Sequence, residues 1–142
     1  TYLKKNFKNF DYVGTDISSK MISIAKRKNI KNRFFIYDLI NSQFRSELVK
    51  DYVVSSGVFT VKNNVKNKDW LKYVIEGAIK MFRYSKKGIG FNLMTSEVDF
   101  KDKNLFYMDP VILFKILEKN LSSKIKIINS YNLWEYTVFI YR

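Results

Sequence analysis

The stretch YVGTDISSKMISIAKRK, Tyr12 to Lys28, constrains the fold more than any other part of this chain. Tyr12 to Thr15 reads as a short buried strand, and the next residue is a carboxylate, Asp16. The chain then turns straight into an amphipathic helix. Ser18 is placed to cap that helix, and Met21, Ile22 and Ala25 share one face. A carboxylate at the carboxyl end of a strand in an α/β sheet is well placed to hydrogen-bond the hydroxyls of a ribose. A glycine-rich cradling turn should lie upstream. The chain begins too late to contain one, so it is expected to be N-terminally truncated.

The same alternation continues. Phe34 to Tyr37 is a second strand, ending at Asp38. A weaker helical piece follows around Phe44 to Val49. Tyr52 to Val54 is a third strand, ending on Ser55-Ser56-Gly57. Asp69 is expected to cap a helix in which Leu71, Val74, Ile75, Ala78, Ile79 and Phe82 recur at spacings of three and four. Gly88 to Met94 is a fourth strand. Asp109-Pro110 is a cap followed by proline at the first helical position, opening a helix through Leu113, Phe114 and Leu117. Ile125 to Ile128 and Glu135 to Tyr141 close the chain, joined by the turn Ser130 to Leu133.

Strands separated by helices of this length form parallel sheets with right-handed crossovers. The last two strands are too close for a helical crossover and must pair antiparallel. The expected fold is a single α/β domain over 1–142: three layers, a mostly parallel sheet, and a C-terminal antiparallel hairpin. The irregular stretches Phe59 to Lys68 and Thr95 to Met108 follow strands three and four. They fall on the carboxyl edge, where open α/β sheets bind ligands.

Composition narrows the chemistry. The chain has no cysteine and no histidine. That excludes disulfides, thiolate or imidazole metal sites, and Ser-His or Cys-His catalysis, so no metal is expected. No apolar run approaches the roughly 18 residues of a membrane span, and there is no signal-peptide pattern, so the expected location is cytoplasmic. The net charge is +13. The basic residues are 21 Lys and only 5 Arg, spread through loops and exposed faces. Arginine is the preferred reader of guanine and phosphate forks. The charge is therefore read as a compositional bias of the source proteome before a nucleic-acid adaptation. The pairs Lys4-Lys5 and Lys86-Lys87 are read as solvated surface.

The segments YVGTDISSKMISIAKRK, FFIYDLI (Phe34 to Ile40), DYVVSSGVF (Asp51 to Phe59), KGIGFNLMT (Lys87 to Thr95) and NSYNLWEYTVFIYR (Asn129 to Arg142) resemble the class I S-adenosylmethionine-dependent methyltransferases. The resemblance runs from that family's second strand to its end. It implies S-adenosylmethionine as cofactor. Asp16 would bind both ribose hydroxyls, with Ile17 packed on the adenine or ribose and Met21 supporting it. Asp38 would accept from the adenine amino group, with Leu39 against the ring. Ser55 and Ser56 would face the methionine moiety and the methyl group. The family's first strand and glycine-rich loop are absent. The sole Gly-x-Gly, Gly88-Ile89-Gly90, lies inside a strand and is discounted. Residues 2–10 look like the tail of the helix that should follow the missing loop.

Each signal has an ordinary reading beside it. Asp16 and Asp38 could be turn or cap residues. Ser55-Ser56-Gly57 could be a plain turn, and Met21 could belong to the core. Two carboxylates at one sheet edge favour a ligand. The Asn/Asp-Pro-Pro-aromatic turn of base-amino methyltransferases is missing after the third strand, so a small-molecule acceptor is expected and nucleic acid is disfavoured. With no histidine, the candidate general bases are Glu97, Asp99 and Tyr107. Tyr131, Asn132 and Trp134 would line an acceptor pocket. Removing a central strand exposes inner strand edges, so this form is expected to bind cofactor weakly or not at all and to be inactive. The alternative is a non-catalytic basic Rossmann-like module. It would bind nucleic acid or a protein partner with strong salt dependence.

Overall fold

The computed structural model describes residues 5–29 and 31–142. Residues 2–4 of the expected helix tail, and Lys4 of the first lysine pair, lie outside the described residues; Lys5 and Asn6 are helical and Phe7 is not. The chain divides into two compact units, 1–44 and 45–142.

The first unit is one βαβ crossover. Strand β1 (Val13–Asp16) leads through Ser18 into helix α1 (Ser19–Lys28) and back to strand β2 (Arg33–Ile36). The two strands pair in parallel, with Val13 beside Arg33 and Asp16 beside Ile36. Ser18 caps as its sequence position implies: its hydroxyl accepts from the Met21 amide at 3.3 Å. Lys26, Arg27 and Lys28 follow at the negative end of the helix dipole. Ile22 is the buried residue of α1, and Met21 is exposed. This corrects the reading of Met21 as core. Phe34 is buried beneath an edge-on contact with Tyr12 at 5.9 Å.

The second unit holds a five-stranded sheet. Its main path runs β3 (Lys50–Ser55), β4 (Ser85–Thr95), β7 (Glu135–Tyr141), β6 (Ile125–Ile128). β3 and β4 are parallel; β4–β7 and β6–β7 are antiparallel. The expected terminal hairpin is therefore present, and its second strand is inserted beside β4. Strand β5 (Tyr107–Met108) pairs in parallel with Met94 and Thr95 at the end of β4. It occupies the edge that β3 leaves after Ser55 pairs with Phe91.

Registers separate the sheet into two faces. Ile89, Phe91 and Leu93 stand directly opposite Ile140, Val138 and Tyr136. All six are essentially inaccessible. Helix α2 (Asn67–Tyr84) covers this face with Val74, Ala78 and Met81, and helix α3 (Pro110–Asn120) contributes Leu113 and Leu117. Phe59 bridges the sheet and α2, edge-on to Phe91 at 5.4 Å and to Tyr73 of α2 at 5.9 Å. The other face carries Tyr52, Val54, Gly88, Gly90, Asn92, Glu135, Thr137 and Phe139. A Cβ on Gly88 would lie 2.7 Å from the Ile140 carbonyl oxygen, and one on Gly90 would meet the Phe139 ring at 3.1 Å. These glycines permit close strand packing, as befits a Gly-x-Gly inside a strand.

Three local expectations need correction. Asp69 does not cap α2: Lys66 stands at the cap without a side-chain bond, and Asp69 lies in the first turn, where its charge suits the helix dipole. β4 begins at Ser85, directly after α2, and not at Gly88. The stretch from Thr95 to Met108 is not wholly irregular, because it ends in β5. The weak helical piece before β3 is a 3-10 turn at Ser46–Leu48. Asp109 caps α3, accepting from the Val111 and Ile112 amides at 2.7 and 3.0 Å.

Candidate functional site

In the first unit, both predicted carboxylates sit at the carboxyl end of the strand pair. Asp16 is the last residue of β1, and its carbonyl accepts from the Tyr37 amide at 2.9 Å, one residue before Asp38. The parallel register thus brings Asp16 and Asp38 to one edge of one small sheet. One carboxylate oxygen of Asp16 accepts from the Ser18 amide at 2.7 Å. Its other oxygen has no partner among the described residues, so the turn role and a ligand role are compatible.

Asp38 is more heavily engaged. One oxygen accepts from the Ile40 and Asn41 amides at 2.9 and 3.0 Å, and the other from the Asn41 side-chain amide at 2.9 Å. Donation from the Asn41 side chain, then from the backbone, holds its pKa below the ordinary 3.8, against an opposing desolvation effect. The loop is closed behind it: the Ser42 amide donates to the Asp38 carbonyl at 3.0 Å, and the Tyr37 hydroxyl donates to the Gln43 carbonyl at 2.9 Å. Ile17 is 73% exposed and Met21 53%, while Leu39 is half-buried. Two large apolar side chains held in water beside a carboxylate edge are available to a flat ligand.

The second unit has its own cleft, of about 330 Å³, at the carboxyl end of β3 and against the middle of β4. Val54, Ser55 and Ser56 line it from β3, Gly90, Phe91 and Asn92 from β4, and Tyr131, Leu133, Glu135, Thr137 and Phe139 from the closing hairpin. Sequence reasoning placed Ser55, Ser56 and Tyr131 here, and the structure brings them together. Asn132 and Trp134 do not line the cleft. Trp134 instead meets Phe100 edge-on at 5.2 Å. The candidate bases also lie outside its wall. Glu97 and Asp99 are on the exposed loop after β4, and the Tyr107 hydroxyl accepts from the Asp102 amide at 3.0 Å.

Asn92 and Glu135, both in the cleft, were among the lining residues not foreseen. The Asn92 side-chain amide donates to one oxygen of Glu135, and the Asn92 side-chain carbonyl accepts from the Gly57 amide at 2.8 Å. Gly57 has φ +74°, which any other residue would adopt at a cost. The Ser-Ser-Gly turn, β4 and β7 are therefore tied at one point. A signal did exist: Asn92 is the lone polar residue between Gly88 and Met94 in KGIGFNLMT.

No protein-family model matches the chain. Among solved structures, magnesium protoporphyrin IX methyltransferase from Synechocystis, with S-adenosylmethionine bound, is 16% identical, with TM-score 0.58. That match covers 92% of this chain and 58% of that one. The same enzyme with S-adenosylhomocysteine bound gives 14%, TM-score 0.63, and 92% and 63% coverage. A SAM-dependent methyltransferase from Bacteroides fragilis gives 13%, TM-score 0.53, and 88% and 60% coverage. The chain thus spans less than two thirds of those solved chains, and at these identities the likeness is one of fold. A Mycobacterium tuberculosis protein named "Putative methyltransferase Rv1506c" is 30% identical over 135 residues, 92% of this chain and 78% of its own length. The chain belongs to the methyltransferases. The α/β elements of this methyltransferase share the fold of those solved methyltransferases. Among the described residues, no helix is long and apolar enough to cross a membrane.

Proposed function

We propose that this methyltransferase moves the methyl group of S-adenosylmethionine to a small-molecule acceptor, its two units belonging to one catalytic domain. In that reaction the sulfonium–methyl bond breaks, its electron pair returns to sulfur, and a bond forms between the methyl carbon and the acceptor's nucleophilic atom. The cofactor arrives activated, so the protein's task is largely to hold and orient.

The observation that carries the reading is the pair of carboxylates at the carboxyl end of β1 and β2. Asp16 keeps one oxygen unengaged by the described residues and would take the ribose hydroxyls. Ile17 and Met21, exposed beside it, would pack on the ribose and adenine. Asp38, held ionised by the Asn41 amides, would accept from the adenine amino group, with Leu39 on the ring. Ser55 and Ser56, in the wall of the second unit's cleft, would face the methionine end and the methyl group. The cleft's size suits a small acceptor.

Titration with S-adenosylhomocysteine tests this. The expected affinity is weaker than micromolar. Asp16→Ala should weaken it at least about tenfold, the worth of a lost charge-assisted hydrogen bond. Equal binding by wild type and Asp16→Ala would remove Asp16 from the site. Absence of saturable binding would remove the reading of this chain as a cofactor site in its own right.

A further inference from the structure

The second unit's cleft combines apolar walls with one charge. Val54, Leu133 and Phe139 supply the walls. Glu135 is the only charged side chain among its lining residues, in a chain whose Lys and Arg number 26 and outnumber Asp and Glu two to one. In a protein with this excess of cations, a cleft without a single one disfavours an anionic occupant.

Glu135 is also held in place. One carboxylate oxygen accepts from the Asn92 side-chain amide, and Asn92 is anchored in turn by the Gly57 amide at 2.8 Å. That chain of bonds fixes the side chain across β4 and β7, and it leaves the second oxygen without a partner among the described residues. Nearby, the Tyr131 and Thr137 hydroxyls satisfy one another at 2.8 Å. The strongest acceptor left to a ligand is therefore a carboxylate oxygen, beside aromatic and aliphatic surface.

We propose that this cleft binds an amine-bearing small molecule, its ammonium or N–H group on Glu135 and its apolar body against Phe139, Leu133 and Val54. This deepens the acceptor-site reading of the cleft, on which it rests, by naming the substrate class. Glu135 acts here as a positioning residue: it selects a donor-bearing, cationic head group over a carboxylate. A carboxylate–ammonium pair in such a cleft is favoured because apolar walls limit screening, and the same walls raise the penalty for an anion.

Three probes with one aromatic body separate the head groups: tyramine, tyrosol and 4-hydroxyphenylacetate. Their affinities for the full chain are measured by ligand-observed NMR titration up to about 10 mM, the weak-binding range. Tyramine should bind at least about tenfold more tightly than 4-hydroxyphenylacetate, with tyrosol between. Glu135→Gln keeps the side chain's size and should bring tyramine down to the level of tyrosol. Equal affinities for the three probes, tighter binding of the acid, or no saturable binding by tyramine would each overturn the proposal. The wild-type ranking decides the question even if the variant does not fold. S-adenosylhomocysteine is titrated separately. If it binds and the amine preference is absent, only this inference falls; if the preference is present without cofactor binding, the reading of this chain as a cofactor site in its own right falls instead.

Discussion

Residues 1–44 and residues 45–142 face one problem, burying one face of a sheet, with very unequal means. In the first unit helix α1 packs on two strands, and the buried apolar residues among those described are Ile22, Phe34 and Tyr37. In the second, two helices cover one face of five strands, and the other sixteen buried apolar residues of the described chain lie there. A two-stranded sheet is marginal by itself, and parallel pairing adds little. The lesson concerns where each unit can place chemistry. The first unit spends its sequence on an exposed edge of carboxylates and apolar side chains. The second has enough core to hold a fixed Asn92–Glu135 pair on its open face.

The contrast can be broken most forcefully by emptying each core. Phe91→Ala should lower stability by about 3–5 kcal/mol, the cost of a fully buried ring. Phe34→Ala should cost less than half of that, since its ring packs beneath the partly exposed Tyr12. Urea unfolding measures both, and equal losses would show that the first unit is as tightly built as the second.

A subtler pair of substitutions sharpens the same point. Gly88→Ala sets a methyl 2.7 Å from the Ile140 carbonyl oxygen, a backbone atom locked in the β4–β7 ladder. It should cost about 1–3 kcal/mol. Gly14→Ala meets side chains and not backbone, the Phe34 ring at 2.6 Å and the Tyr12 ring at 3.4 Å, and rings can turn aside. Its cost should be below about 1 kcal/mol, offset in part by the lower chain entropy of alanine. Thermal unfolding of both variants checks the order, and a larger loss at Gly14 would reverse the comparison.

The smallest effect is electrostatic. The Asp38 pKa is depressed in the folded chain, so its ionised form adds stability above the ordinary value of 3.8. That contribution is lost as pH falls through the lower folded value. Asn41→Ala removes the largest cause, and the Asp38 carboxyl, followed by NMR, should then titrate closer to 3.8. An unchanged titration would assign the shift to the backbone amides alone.

Much of this was legible residue by residue. Ser18 and Asp109 cap their helices because a side-chain oxygen two or three residues ahead of a free amide needs no distant partner. The terminal hairpin followed from a connection too short for a crossover. Asp69 misled because an acidic residue suits the first turn of a helix as well as its cap, and the chain entered α2 three residues earlier, with Lys66 at the cap. β5 was not legible: two residues carry no period, and they become a strand only by meeting Met94 and Thr95. Met21 misled because a helix face tells which residues lie together and not which of them the core accepts.

What the sequence determined by itself is local and periodic: strand and helix order, the caps, the carboxylates at the ends of β1 and β2, and the family. The tertiary structure decided which side chains share a wall. Glu135 and Asn92 lie 43 residues apart, and only the insertion of β7 beside β4 brings them together. Strand order depends on long-range pairing, whose energy is spread over a whole sheet and is written in no single stretch of the chain.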